Sequence, residues 1–264
     1  MANIDDEFEF RKRRENEISQ QGKSEDIHSK TKEWLNESIK TNYSYHFDWL
    51  GRPIIQYPQD MLAVQQLLWS IKPDLVIETG IARGGSLIYY ASILELISQC
   101  GGPADARVLG IDIDVRAHNK EAILAHPMSK RIGILEGSSI DPAVTKIVLK
   151  RAQAAKTVLV CLDSNHTHDH VLEELRVYGP MVSVGSYCIV FDTIIEDLPA
   201  HLIGDRPWSK GNNPRSAVET YLDELKSWAA ATMDPGAPEF IVDEAILNQI
   251  LISVAPSGYL QRLK

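Results

Sequence analysis

Cysteine is scarce in this chain: Cys100, Cys161 and Cys188 are the three in 264 residues. They follow no metal-binding spacing, and two fall inside apolar runs that read as buried strands. They are therefore expected to be reduced thiols acting as small hydrophobes in the cytoplasm. Long hydrophobic runs are missing as well. No stretch approaches the roughly 20 apolar residues that span a bilayer, and no signal-peptide core opens the chain, so no membrane partner is expected. Positive charge is the minority sign, with 27 Lys and Arg against 36 Asp and Glu and a net charge of −9. A nucleic-acid face needs clustered cations, and the one basic cluster, Arg11-Lys12-Arg13-Arg14, sits beside Asp5-Asp6-Glu7 and reads as a solvated helix face. Internal repeats and low-complexity tracts are absent. So are the dinucleotide fingerprint G-x-G-x-x-G and the Lys-Ser/Thr pair of a P-loop.

What is present is the composition of a soluble globular protein, 44% hydrophobic and 24% charged. The length suits one large α/β domain with additions. Residues 1–55 read as a helical and aromatic extension that ends in Tyr43, Tyr45, Phe47, Trp49 and Leu50; residues 56–264 read as the cofactor-binding domain. Within that domain, apolar runs end in acidic or small residues at Leu75–Thr79, Arg107–Asp114, Ile132–Ser139, Thr157–Asp163 and Tyr187–Thr193. Helical patterns separate them, which predicts a doubly wound, mostly parallel, Rossmann-like sheet. Phe240–Asp243 and Leu251–Ala255, with the closing Gly258-Tyr259-Leu260, read as terminal strands; residues 196–214, rich in Pro, Gly and Asn and carrying Trp208, read as an ordered loop over the site.

The first strand ends in Glu78-Thr79-Gly80 and passes through Ile81-Ala82-Arg83-Gly84-Gly85-Ser86 into a helix. Such a turn aims free backbone N–H groups and a positive dipole end at the mouth of the sheet. A carboxylate at the strand tip suits a cofactor with an ammonium group and repels one with phosphates, which favours S-adenosylmethionine (SAM). Asp112, at the end of the second strand, lies where α/β cofactor folds place a carboxylate for ribose hydroxyls. The polar run Asp163-Ser164-Asn165-His166-Thr167-His168-Asp169-His170 follows the fourth strand, and Asp192-Thr193 ends the fifth. These tips are expected to be neighbours, so that Asp163 and Asp192, with Thr193 and Asn165 as oxygen-bearing company, form a hard-cation site suited to Mg²⁺. His166 is placed to act as general base. Two other readings stand beside this one: Asp163 or Ser164 as a helix cap, and the histidines with an Asp as a two-His, one-carboxylate iron site. The crowding of the histidines into one βα loop speaks against iron.

With Gly110–Asp114, Glu136–Ser139, Leu162–His166, Asn213-Pro214, Ala217-Val218 and Pro256–Leu260, the chain resembles the cephalosporin hydroxylase family, which includes rhamnosyl O-methyltransferases and has the class I SAM-dependent methyltransferase fold, a seven-stranded sheet. The resemblance implies that Glu78, Gly80 and Ser86, within the turn that holds Arg83 and Gly84, meet the methionine part of SAM. It implies Asp112 at the ribose, Ser138 or Ser139 beside the adenine, and Asp163 and Asp192 on the metal. One departure is visible: Asp192 is flanked by Phe191 and Thr193, where the family offers two adjacent ligands. The expected activity is a Mg²⁺-assisted O-methyltransferase acting on a hydroxyl of a small natural product or sugar, in a homo-oligomer. The alternatives are an oxygenase component acting on a β-lactam-like substrate and a non-catalytic SAM-fold subunit.

Overall fold

The computed structural model describes residues 4–232 and 238–264. Two helices open it, α1 (Ile4–Gln21) and α2 (Glu25–Lys40), followed by a short hairpin, β1 (Phe47–Trp49) and β2 (Arg52–Ile54). The main body then runs α3 (Pro58–Ile71), β3 (Leu75–Thr79), α4 (Gly85–Gln99), β4 (Arg107–Asp112), α5 (Ala117–Ala125), β5 (Ile132–Glu136), α6 (Pro142–Ala154), β6 (Val158–Leu162), α7 (His168–Tyr178) and β7 (Tyr187–Val190). It closes with α8 (Ala200–Ile203), α9 (Pro214–Thr232), β8 (Phe240–Val242), α10 (Glu244–Ile250) and β9 (Tyr259–Arg262).

The seven-stranded sheet has the order β5-β4-β3-β6-β7-β9-β8. β3 to β7 are parallel, and β9 runs antiparallel between β7 and β8. Strands covered on both faces must be apolar throughout, and β3, β6 and β7 are buried at every position. Their side chains alternate between two cores: Val76, Leu159 and Cys161 pack on the side of α3 and α4, while Leu75, Ile77, Val158 and Val160 pack with α6, α7 and α9. The chain winds outward from β3 to β5 and then returns to β6 beside β3. That reversal leaves a crevice at the carboxyl ends of β3 and β6.

The opening segments pack onto this body. Gln21 Nε2 donates to the Asn248 carbonyl at 2.7 Å, which ties α1 to α10. α2 buries Leu35 and Ser38, and Ser38 Oγ meets the Tyr57 hydroxyl at 2.8 Å. The aromatic cluster turns inward: Tyr43 stacks edge-on with Trp34 and Phe47, and Trp49 Nε1 donates to Ser92 Oγ at 2.9 Å. Tyr43, Phe47 and Trp49 thus pack against the core of their own domain, while Tyr45 stays exposed.

The C-terminal part departs from expectation. Leu251–Ala255 is not a strand, and the residues before it form α10. Leu251 takes a left-handed backbone (φ +60°), and the buried carboxylate of Asp60 holds the segment from inside. It accepts from Ser253 Oγ at 2.6 Å, the Val254 N–H at 2.9 Å and the Tyr259 hydroxyl at 2.7 Å. A backbone donor taken by a side chain is lost to a strand ladder.

Candidate active site

Gly80 makes the crevice. Its φ is +89°, and a Cβ there would stand 2.0 Å from the Asp163 carbonyl oxygen, so only glycine lets the tips of β3 and β6 approach this closely. Gly84, also at positive φ, starts α4. The loop between them is braced: Asn119 Nδ2 donates to the Ala82 carbonyl, and Arg52 donates both to the Arg83 carbonyl and to Asn119 Oδ1. Asp112 Oδ2 accepts the Ile81 N–H at 2.8 Å and the Ala82 N–H at 3.2 Å, which places this carboxylate directly against the turn.

Glu78 is fully buried. Burial pushes its carboxyl up from the ordinary 4.5 to about 8, against the pull of the Ser86 and Tyr90 hydroxyls, which favours the ion. Ser86 Oγ donates to Oε2 at 2.8 Å, while Oε1 has no partner. A buried carboxylate oxygen left unpaired is costly unless a donor arrives, and an ammonium group is such a donor.

On the other wall stand Asp163, His166 and Asp192, whose ligand atoms lie within 4.8 Å of one another. His166 Nε2 is 3.2 Å from Asp192 Oδ2, and Gln56 Nε2 donates to Asp163 Oδ2 at 3.1 Å. Asp192 sits at φ +56°, an uncommon conformation for a residue with a side chain, just past the end of β7. Burial, and then the negative charges of Asp192, Glu78, Glu174 and Asp60, push the Asp163 carboxyl well above the carboxylate range. Two carboxylates and an imidazole gathered at one crevice suit a divalent cation, and the donor set fits one.

Thr193 is not brought to this group: it is buried, and its hydroxyl donates to the Pro256 carbonyl. Nor are Asp163 and Ser164 caps of α7. Its cap is Thr167, and Asn165 Oδ1 accepts the Thr167 N–H at 2.9 Å. His168 pairs with Ser216 Oγ and His170 with Ser139 and Ser164, away from the acidic pair. Ser138 contributes its carbonyl to the start of the next turn, accepting the Asp141 N–H at 3.0 Å.

The two walls enclose a crevice of about 410 Å³ that contains Gly80, Arg83, Ser86, Asp163, His166 and Asp192. Ile195, Leu198, Leu202, Ile203 and Trp208 from the segment after β7 and Ile39 and Tyr45 from the N-terminal elements also line it, with Asn42, Ser44 and Arg206 among them. That segment, expected as a loop, carries a 3-10 turn (Thr193–Asp197) and α8 and is ordered by Glu196, which accepts from the Gly211 N–H and Asn213 Nδ2. Asn213 Oδ1 in turn accepts the Arg215 N–H at 2.9 Å in front of Pro214, which opens α9. Trp208 meets His166 edge-on, with centroids 4.7 Å apart. Gln56 and Glu174 were not expected at the site. Only Glu174 left a trace, its spacing of four from His170 on a helix.

The strand order, the Gly turn after β3 and the acidic strand tips define a class I SAM-dependent methyltransferase fold. Within that class the chain belongs to the Rhamnosyl O-methyltransferase/CmcI family, whose profile matches residues 41–263. The rhamnosyl O-methyltransferase of Mycobacterium tuberculosis (strain H37Rv) is 31% identical over 210 residues, covering 77% of this chain and 73% of its own. That of Mycobacterium leprae is 29% identical over 179 residues, 67% of this chain and 71% of its own. An apo-structure of CmcI aligns with TM-score 0.52 and 18% identity, over 83% of this chain and 77% of its own.

Proposed function

We propose that the protein is a SAM-dependent, Mg²⁺-assisted O-methyltransferase acting on a hydroxyl of a small natural product or sugar. The carrying observation is that the Gly80–Ser86 turn, whose Ser86 hydroxyl is bonded to the buried Glu78 with its unpaired oxygen, lines the same crevice as the Asp163–His166–Asp192 group. The family and the names of the relatives support the same reaction class. When bound, SAM would supply the activated methyl group and a divalent cation would lower the acceptor hydroxyl's pKa.

The chain's own residues do the rest. Glu78, with Ser86 and the Gly80–Gly84 turn, receives the ammonium end of SAM, and Arg83 flanks it. Asp112 exchanges its loop N–H partners for ribose hydroxyls, and Ser138 and Ser139 border the adenine. Asp163 and Asp192 hold the cation, and His166 takes the acceptor proton while Asp192 orients its ring. Positioning of this kind is the main work of a displacement at carbon. The oxygenase reading loses its support in the donor set: among the described residues the group that could hold a metal has one histidine and two carboxylates, not the reverse.

The decisive test uses EDTA. Methyl transfer should stop while SAM still binds by calorimetry, and Mg²⁺ should restore it. Asp163→Asn and Asp192→Asn should each reproduce the EDTA effect, because a neutral amide is a poor ligand for a hard cation. His166→Ala should keep the cation and lose rate by about 10²–10⁴-fold, less at high pH. Full activity in EDTA rules out the cation; binding of 2-oxoglutarate with Fe²⁺ but not of SAM rules out the methyltransferase. A cytoplasmic location accords with three unpaired thiols. We propose self-association through the exposed Leu62 and Trp69 on one face of α3; light scattering that shows a strict monomer at micromolar concentration removes it.

A further inference from the structure

Behind the crevice, one face of α7 carries polar side chains that the proposed reaction does not use. His170 Nε2 lies 3.1 Å from Ser139 Oγ and 3.2 Å from Ser164 Oγ. Ser164 Oγ donates to Glu174 Oε1 at 2.7 Å, and that oxygen is 3.5 Å from His170 Nε2. Glu174 is fully buried, and its second oxygen has no partner. One helical step further, the Tyr178 hydroxyl donates to the Ser139 carbonyl at 2.6 Å. His170, Glu174 and Tyr178 thus recur every four residues on the helix surface.

These contacts join two loops that lie apart in sequence. Ser139 belongs to the loop after β5, and Ser164 directly follows Asp163 after β6. A buried carboxylate with an orphaned oxygen adds nothing to stability that an aliphatic side chain would not supply better. Glu174 therefore needs another reason to stand among Val171, Leu172 and Leu175. The imidazole is the hub: rotating it away breaks the tie of both serines at once.

We propose that His170 and Glu174 are positioning residues that couple the cofactor subsite to the cation subsite, by locking the adenine-side loop at Ser139 to the Asp163 tip through Ser164. The proposal rests on the preceding assignment of Ser139 to SAM and of Asp163 to the cation. Neither residue reaches the reacting atoms. Ordering of one loop by its ligand lowers the cost of ordering the other, so SAM affinity depends on Mg²⁺ and the reverse.

The test is calorimetric titration of the full chain with SAM, at saturating Mg²⁺ and in EDTA, for the unaltered protein, His170→Ala and His170→Gln. The unaltered protein should bind SAM more tightly with Mg²⁺. In His170→Ala, SAM affinity should fall by about threefold to tenfold and lose its dependence on Mg²⁺, and His170→Gln, which keeps a donor and an acceptor, should regain part of both. In turnover, KM for SAM should rise more than kcat falls. Should His170→Ala fail to fold, Ser139→Ala, Ser164→Ala and their double variant replace it, and the double variant should cost less than the sum of the singles. SAM affinity and Mg²⁺ dependence unchanged in folded His170→Ala, or additive serine variants, overturn the coupling alone. Failure of the unaltered protein to bind SAM at all overturns the methyltransferase reading.

Discussion

At the scale of the residue, Glu78 concentrates the physics of the site. A carboxyl raised from 4.5 to about 8 by burial holds a proton that the unfolded chain releases. Its contribution to stability is complete below about pH 4.5 and is lost as pH rises toward 8, so thermal stability should decline across that window. Asp60, raised to about 6 by burial, acts with the same sign over the lower part of the window. Glu78→Gln should flatten the upper part of the decline, as melting temperatures between pH 6 and 8 will show. An arriving ammonium group favours the ionised form. SAM binding near pH 7 should therefore release a proton, seen as a dependence of the binding heat on buffer ionisation enthalpy. Glu78→Gln should abolish that release and weaken SAM by about tenfold to a hundredfold. Equal heats in phosphate and Tris would remove Glu78 from the ammonium site.

At the scale of the element, the βα turn after β3 and the strap after α10 are held by single residues. Gly80→Ala would add a Cβ 2.0 Å from the Asp163 carbonyl oxygen at a φ of +89°. Strain of this kind costs at least about 1–3 kcal/mol and should separate the two strand tips. Circular dichroism melts should show the loss, and SAM binding should fall with it. Asp60→Asn tests the strap. Three donors converge on that carboxylate. Losing charge-assisted bonds should cost about 1.5–3 kcal/mol, a drop in melting temperature of several degrees. The strands β3, β6 and β7 and helix α7 were legible in the sequence because a doubly covered strand must be apolar and a helix must repeat its contacts every three or four residues. α10 was not legible: its apolar residues fit a strand as well as a helix, and Asp60, nearly 200 positions earlier, decides the conformation of the segment that follows it.

At the scale of the whole molecule, the N-terminal elements are part of the site. Ile39 and Tyr45 line the crevice together with Leu198, Leu202 and Trp208. These residues come from elements other than the Gly turn, and we expect them to meet the acceptor rather than SAM. Tyr45→Ala should raise KM for the acceptor several-fold and leave SAM affinity unchanged by calorimetry. Equal effects on both would place Tyr45 in the cofactor subsite. No described helix is long and apolar enough to cross a membrane.

The amino-acid sequence by itself determined the layered α/β architecture, the Gly turn after β3 and the acidic tips Glu78, Asp112, Asp163 and Asp192. Each is a local pattern, since burial on two faces, a tight turn and a polar strand end leave their marks within a few residues. Only the tertiary structure decided that Thr193 turns away to the Pro256 carbonyl, that His166 stands beside Asp192 under Trp208, and that Gln56 reaches Asp163. It alone shows Tyr43, Phe47 and Trp49 packed against the core of their own domain. These contacts join segments tens of residues apart, and no local pattern encodes which side chain a distant loop will meet.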